Sequence, residues 1–478
     1  MRTWSTYQLA VFENVANGTG HTVLDAVAGS GKTTTIEEAV KHVPAGKRTL
    51  FVAFNKSIAT ELAKRLSGAA GVEVSTLHSY GLKCVSAALG RLRIDQYRVP
   101  NFIEAMHGND PKTFEMRRDL AKIVSLAKGA LTSSEEEIDA LIDAFGADSV
   151  NGNRVQFVKD VMKLLEQCTG TQDGCIDFDD MIWLPVVLDL PQRKFDRVFV
   201  DETQDLNAAQ IEMVLRAVKV DGRILAVGDP RQAIYRFRGA DENAFSNVQE
   251  RLSATRLPLS VCYRCCKAVI REAQELVPHI EAAPDAEEGE VLSSSYEQMK
   301  KNAKAGDFIL SRTNAPLISL CMSFLKEGRR ANIQGRDVGA SLKAFIKKSK
   351  VENVEALRDY VAAWRDKECA RLAAKRRDTQ SVEDRAACIL ALSDGAATVA
   401  DVVESIESIF ADKDEKAIIT LSSTHKAKGL ERDKVWVLRA TYLRRPETEE
   451  KNLLYVAQTR ARKTLVLVKD LGKKEDDE

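Results

Sequence analysis

The sequence predicts an α/β protein of two parallel-sheet units, each interrupted by a mainly helical insertion. Three observations predict it. Apolar, β-branched segments alternate with helix-period stretches in the first and last parts of the chain, which is the pattern of a parallel sheet with crossover helices. A strand, glycine loop, helix pattern opens that series at AVAGSGKTT, residues 26–34. An acidic pair suited to the same chemistry follows another strand, but 169 residues separate Lys32 from Asp201. That separation is too long for one compact nucleotide fold, so a segment is inserted between them.

The glycine loop ends the apolar run His21 to Val27 and opens the helix-like run Gly31 to His42. Backbone NH groups of Ala28, Gly29, Ser30, Gly31 and Thr34 can point at anionic oxygens in such a loop. Lys32 adds a mobile positive charge for β and γ phosphates, and the Thr33 hydroxyl can ligate Mg²⁺. Further strands are expected at Arg48 to Phe54 and Val72 to Thr76. Strand signal then gives way to helical patterning from about Cys84 to Thr171, including the helix start Ser133-Ser134-Glu135-Glu136-Glu137. Alternation resumes at Arg197 to Val200, which carries Asp201 and Glu202 at its end, and at Arg223 to Val227. Asp201 would hold the metal, and Glu202 would orient and deprotonate an attacking water. ATP with Mg²⁺ is the expected cofactor pair.

A second set of strands is expected near Leu257 to Val261, Asp307 to Ser311, Ala417 to Ser422, Lys434 to Leu438 and Thr464 to Val468. Helical sequence interrupts it from about Arg336 to Lys416 with uneven charge. Ser341 to Gln380 carries 11 basic and 6 acidic residues, and Asp401 to Lys416 carries 6 acidic and 2 basic. Solvated helix faces explain this; a sharper reading sets the basic half against nucleic-acid phosphates. The expected division is 1–84 and 172–250 for the first sheet domain, around an insertion at 85–171. The second domain spans 251–335 and 417–470 around a reduced insertion at 336–416, with a charged tail at 471–478.

Composition narrows the class. At 478 residues the chain exceeds a single core, so roughly three to four domains or subdomains are expected. Lys+Arg and Asp+Glu are both 70, so no global positive field marks a nucleic-acid partner, which must be met by a local channel. No apolar run approaches the ~20 residues needed to span a bilayer, and Met1-Arg2-Thr3-Trp4 lacks the apolar core of a signal peptide. A cytoplasmic protein without a membrane partner is expected. Nine cysteines without a small-secreted-domain pattern favour reduced thiols. Cys262, Cys265 and Cys266 invite a metal reading, but the other close pair, Cys168 and Cys175, is poorly spaced, and buried cysteine is the preferred reading.

The run LAVGDPRQAIYRFRGAD at 225–241 combines three chemistries. Gln232 can bond a γ phosphate, while Tyr235 and Phe237 are flat surfaces beside the cations Arg236 and Arg238. Aromatic rings interleaved with arginines suit base stacking and phosphate tracking on a single strand. With this run in place the chain resembles a UvrD/Rep-like superfamily 1A helicase, whose motifs it carries in order along nearly its whole length. They read Tyr7-Gln8, AGSGKTT (28–34), FVAFNKSIA (51–59), STLHSYG (75–81), DETQD (201–205) and GDPRQAIYRFRGAD (228–241). CYRC (262–265), TLSSTHKAKGLERDKV (420–435) and NLLYVAQTRARK (452–463) complete the set.

The resemblance implies two RecA-like domains with ATP between them. It implies that Arg264 and Arg460 reach the γ phosphate, with Gln232 as a polar sensor. Gln8 would read adenine, Tyr263 would stack on the base and Glu431 would bond the ribose. For the strand it implies stacking by Phe237 and contacts near phosphates from Thr76, His78, Thr424 and His425, with Phe54, Tyr235 and Arg238 on the same path. Many relatives place an arginine where this chain has Thr34, and both insertions are compact beside the accessory domains of typical relatives. The implied activity is ATP-dependent translocation on single-stranded DNA and 3′ to 5′ helicase action on tailed duplex DNA, with a protein loading partner left open. The alternative is an ATP-switched DNA-binding module that displaces proteins without separating strands. RNA as substrate stays open, because stacking and phosphate contacts do not read the 2′ hydroxyl.

Overall fold

The computed structural model describes residues 3–53, 55–110, 113–147, 153–235, 243–374, 378–410, 418–442 and 448–471. The chain divides into two compact units, Met1–Ser260 and Val261–Glu478. In the first, six strands form one parallel sheet in the order Val72–Thr76, Thr49–Ala53, Phe195–Val200, Val218–Gly228, Thr22–Ala26 and Thr255–Leu259. Thr22–Ala26 and Thr49–Ala53 are buried along their whole length, as expected of strands covered on both faces. Alternate residues feed two apolar clusters: Val23, Leu50 and Val52 join one, and Leu24, Phe51 and Ala53 the other.

One strand corrects the expected division. Thr255–Leu259, read as opening the second set, pairs in parallel with Thr22–Ala26 and completes the first sheet. The change of unit therefore falls after Ser260 rather than at 251. That pairing joins opposite ends of the unit, and no local pattern encodes it.

Five helices, Leu77–Leu89, Arg98–His107, Phe114–Ala130, Glu135–Phe145 and Arg154–Thr169, follow the strand Val72–Thr76. Glu135–Phe145 starts where the sequence places it: Ser134 and Glu137 form a reciprocal capping box. These helices close over a core of their own, with Val85, Leu120, Val161 and Trp183 among its members. Below that core runs a buried charge cluster. Arg98 Nη1 donates to Asp180 Oδ2 (2.7 Å), and Lys128 Nζ lies 2.6 Å from Asp177 Oδ2 and 2.7 Å from Asp180 Oδ1. Asp180 opens the helix Asp180–Val187, which packs on the sheet-domain helix Ala208–Ala217, so the cluster ties the helical segment to the sheet domain.

The second unit repeats the plan. Its six parallel strands run Glu290–Ser294, Ala461–Val468, Arg432–Leu438, Phe308–Ser311, Ile419–Ser423 and Ala331–Ile333. The edge strands Glu290–Ser294 and Ala331–Ile333 escape sequence patterning, one because it is largely exposed and the other because it has three residues. The helices Arg336–Ser349, Val354–Ala374, Gln380–Leu392 and Val399–Ile409 share the core of their sheet among the described residues. Leu342, Leu357, Ile389 and Ile406 join the same cluster as the sheet residues Ile309, Leu421 and Trp436. Several charges of the basic stretch pair locally: Lys343 with Glu407, Arg365 with Asp366 and Arg371 with Glu368. No helix among the described residues is long and apolar enough to cross a membrane.

Gly81 sits where the helices Leu77–Leu89 and Asp180–Val187 touch, and a Cβ there would lie 1.9 Å from the Met181 carbonyl oxygen. Gly81→Ala should therefore force the two helices apart and destabilise the first unit by about 2 kcal/mol or more. Urea unfolding of the variant beside the parent chain checks this.

Candidate active site

In the first unit the site begins at the turn between the strand Thr22–Ala26 and the helix Lys32–Lys41. Gly29 and Gly31 adopt left-handed φ values of 67° and 74°, which the tight turn requires and a Cβ would oppose. Gly31 caps the helix without a side chain, and its first turn holds no acidic residue, so its leading NH groups suit an anion. Gln8 packs on this turn from the first helix. Its Nε2 donates to Thr35 Oγ1 (2.9 Å), which in turn donates to the Gly31 carbonyl (2.9 Å).

At the end of Phe195–Val200 the acidic pair meets this turn. Lys32 Nζ lies 3.3 Å from Glu202 Oε2, and the Thr33 hydroxyl donates to Asp201 Oδ2 (3.2 Å). Burial would pull the Lys32 ammonium down, but the carboxylates of Glu202, Asp229 and Asp201 outweigh it and hold Lys32 above its ordinary range. Burial, reinforced by the Glu202 charge, pushes the Asp201 carboxyl up to about 6 despite Lys32. Glu202 stands in the left-handed region at φ 52°, uncommon for a residue with a Cβ and costing on the order of 1 kcal/mol. Surrounding bonds hold it there. The Glu202 amide donates to Asp201 Oδ1 (2.8 Å), and Gln204 Nε2 donates to Glu202 Oε2.

Gln204 belongs to a network that sequence reasoning missed. Its Oε1 accepts from the Asp229 amide (3.0 Å), and a Cβ on Gly228 would lie 2.6 Å from that oxygen, so glycine is needed there. Asp229 is fully buried; its Oδ2 accepts from Gln232 Nε2 (2.7 Å) and its Oδ1 from Arg231 Nε (2.9 Å). Arg231 also binds Asp25, one residue before the end of the first strand, and Arg256 binds Asp25 from the sheet edge. Burial would raise the Asp25 carboxyl, but the two guanidiniums outweigh it and hold Asp25 below its ordinary value. The runs DETQD and GDPRQ contain Gln204, Asp229 and Arg231, yet their mutual contacts depend on strand order.

The residues expected along a strand path are spread differently. Thr76 caps the helix Leu77–Leu89 by accepting from the Ser79 amide (3.2 Å). Burial lowers the His78 imidazole against the pull of Asp179, leaving it uncharged near neutral pH, able to offer a hydrogen bond but not a cation. Phe178, beside Asp179, is 54% exposed and was not singled out from sequence. Tyr235 is half-buried; Phe54, Phe237 and Arg238 lie outside the described residues. In the second unit Thr424 is fully buried, its hydroxyl shared with the Tyr442 hydroxyl, so its side chain does not present an oxygen to a strand. His425 follows it, half-buried.

The remaining expected residues gather in the second unit. Arg264 Nε donates to Glu431 Oε2 (2.6 Å) and its Nη1 to the Thr459 carbonyl (3.3 Å). Arg460 is buried, its Nε donating to the Val456 carbonyl (2.9 Å) and its Nη1 to Leu430 (3.3 Å), while its Nη2 has no hydrogen-bond partner among the described residues. Burial, followed by the Arg264 charge, pulls Arg460 down to about 10. Tyr263, between Cys262 and Arg264, is 45% exposed.

The UvrD/REP helicase N-terminal domain matches residues 8–253, more than half of the chain, and the UvrD-like helicase C-terminal domain matches residues 419–468. The chain belongs to the UvrD/Rep helicase family. Among its relatives in that family, the ATP-dependent DNA helicase PcrA of Bacillus subtilis is 28% identical over 376 residues, 68% of this chain and 49% of the relative. PcrA of Staphylococcus aureus is 25% identical over 366 residues, 66% of this chain and 49% of the relative. PcrA of Staphylococcus epidermidis is 27% identical over 296 residues, 56% of this chain and 39% of the relative. The chain thus spans about half the length, or less, of these relatives.

The donor set at Thr33 and Asp201 fits a small hard cation: a hydroxyl and a carboxylate oxygen adjoin, and the carboxyl is only partly compensated by Lys32. The raised Asp201 value has a sign. In the folded chain this group binds protons that the unfolded chain has already released, so stability falls as pH rises from the ordinary Asp value through about 6. Without divalent cations, the parent chain should lose about 1 kcal/mol more than Asp201→Asn between roughly pH 5 and 7. Urea titrations in EDTA at the two pH values measure it.

Proposed function

We propose that this chain is an ATP-driven motor on single-stranded DNA, working as a 3′ to 5′ translocase and helicase. The observation that carries the reading is the meeting of Lys32 and Thr33 with Asp201 and Glu202 at the ends of two strands of one sheet. Membership of the UvrD/Rep family and the printed activity of the PcrA relatives support it. In this reading the backbone of Ala28 to Thr34 and the Lys32 ammonium hold the phosphates. Thr33 and Asp201 would hold Mg²⁺, which supplies charge neutralisation on the phosphate oxygens when bound. Glu202, fixed by its left-handed backbone and by Gln204, takes the proton of the attacking water. Gln232, oriented by Asp229, senses the γ phosphate.

Gln8 reads adenine, Tyr263 stacks on the base, and Glu431 holds the ribose. Arg264 and Arg460 are the arginines assigned to the γ phosphate. Arg264 Nε and Glu431 Oε2 are paired at 2.6 Å, so the side chains proposed for phosphate and ribose adjoin. For the strand, Thr76, His78, Tyr235 and the exposed Phe178 are the proposed contacts in the first unit, and His425 with the Thr424 backbone in the second. Phe54, Phe237 and Arg238 lie outside the described residues.

Two experiments test this. Lys32→Ala should weaken ATP binding and abolish turnover, whereas Glu202→Gln should keep nucleotide affinity and lose kcat by about 10²-fold or more. Equilibrium nucleotide titration beside steady-state ATPase separates the two, and full turnover in Glu202→Gln removes it from the base role.

Polarity is read on tailed substrates. Single-stranded DNA should stimulate ATPase, and duplexes with a 3′ tail should open in preference to those with a 5′ tail, with binding weakening as salt rises. Stimulated ATPase with displacement of a streptavidin block but no strand separation would instead favour the protein-displacing module.

A further inference from the structure

Arg231 carries none of the roles assigned above, yet it joins the ends of two neighbouring strands in the first unit. Thr22–Ala26 and Val218–Gly228 lie side by side, with Asp25 in register with Gly228. Just past Gly228, Asp229 starts the single turn Pro230–Gln232, its Oδ1 accepting from the Arg231 amide (3.0 Å). From this turn the Arg231 side chain reaches back as a fork. Its Nε donates to Asp229 Oδ1 (2.9 Å), while its Nη1 and Nη2 donate to Asp25 Oδ2 and Oδ1 (3.3 and 2.5 Å). Both carboxylates are buried. On the edge strand Thr255–Leu259 the register partner of Asp25 is Pro258, and Arg256, two residues earlier, also donates to Asp25 Oδ2. Two guanidiniums thus meet two carboxylates, and the four charges cancel.

What Asp229 touches gives this cancellation its consequence. Its Oδ2 accepts from Gln232 Nε2 (2.7 Å), its amide donates to Gln204 Oε1 (3.0 Å), and Gln204 in turn holds Glu202. Its charge also acts on Lys32. Stripped of its guanidinium, the Asp229 carboxylate would draw the Lys32 ammonium to itself and repel an anion at the glycine turn. We propose that Arg231 is a positioning residue, whose fork across Asp25 and Asp229 keeps the Asp229 carboxylate neutralised and turned to Gln232, so that Gln232 and Lys32 are set for a γ phosphate. The role rests on the nucleotide site proposed above and adds to it the part that tells a nucleoside triphosphate from a diphosphate. Arg231 acts through Asp229 and Gln232 rather than on phosphate itself. A planar guanidinium can bond two carboxylates at once in a fixed geometry; a lysine ammonium is a point charge on a flexible stem and does not reproduce the fork.

The test compares the affinity of the full chain for two probes in Mg²⁺, the non-hydrolysable triphosphate AMP-PNP and ADP, by titration calorimetry, with thermal melting of each variant. Arg231→Ala should weaken AMP-PNP by about tenfold and ADP by less than about threefold, because the lost setting concerns the γ phosphate. Replacing Asp229 by Asn in the Arg231→Ala background removes the unbalanced carboxylate, and AMP-PNP affinity should return to within about threefold of the parent. Arg231→Lys keeps a cation without the fork and should fall between the parent and Arg231→Ala. Should Arg231→Ala fail to fold, Arg231→Lys decides, and a parent-like preference for AMP-PNP in it overturns the fork. Equal losses for both nucleotides, an unchanged preference in Arg231→Ala, or no recovery in the double variant overturn the proposal while leaving the nucleotide site standing. A parent chain that binds neither probe refutes the nucleotide site itself.

Discussion

Lys32 is buried against three carboxylates, those of Glu202, Asp229 and Asp201, and the electrostatic order of the first unit depends on that arrangement. One ammonium does not neutralise three acids in a low-dielectric site, and the remainder is distributed through fixed partners. Asp229 is satisfied by Arg231 and Gln232, Glu202 by Gln204, and the Asp201 carboxyl is left raised to about 6. A site built this way is strained toward accepting positive charge beside Thr33 and Asp201 and negative charge beside the glycine turn. Nucleotide with its metal has that pair of charges in that order.

The two helical segments use different physics to attach to their sheets. The first has its own apolar core and is joined to the sheet domain by Arg98 and Lys128 on Asp177 and Asp180. Buried ionic joints of this kind contribute little net stability but are costly to break on one side only, so they specify geometry more than they add strength. The second segment shares the core of its sheet, so its helices cannot shift without repacking residues such as Ile309 and Trp436.

In the second unit, charge is stored rather than displayed. Arg460 is buried with one nitrogen unpartnered among the described residues, and Arg264 is held by Glu431 and by the Thr459 carbonyl. An incompletely satisfied buried guanidinium costs free energy in this state, and an anion brought to it would recover part of that cost.

Much of the fold and of the Lys32 site was legible in the sequence because it rests on local pattern. Strand, glycine turn and helix are contiguous in 22–41, and the Ser134–Glu137 capping box is a four-residue signal. Lys32, Thr33, Asp201 and Glu202 could be chosen because their residue types fit phosphate and metal at strand ends. What the tertiary structure decided are pairings between distant segments. Thr255–Leu259 joins the first sheet, Arg231 bridges Asp25 and Asp229, Gln204 fixes Glu202, Glu431 takes Arg264, and the Thr424 hydroxyl turns inward to Tyr442. Residue type and spacing record what a side chain can bond; strand order and burial choose which of its partners it meets.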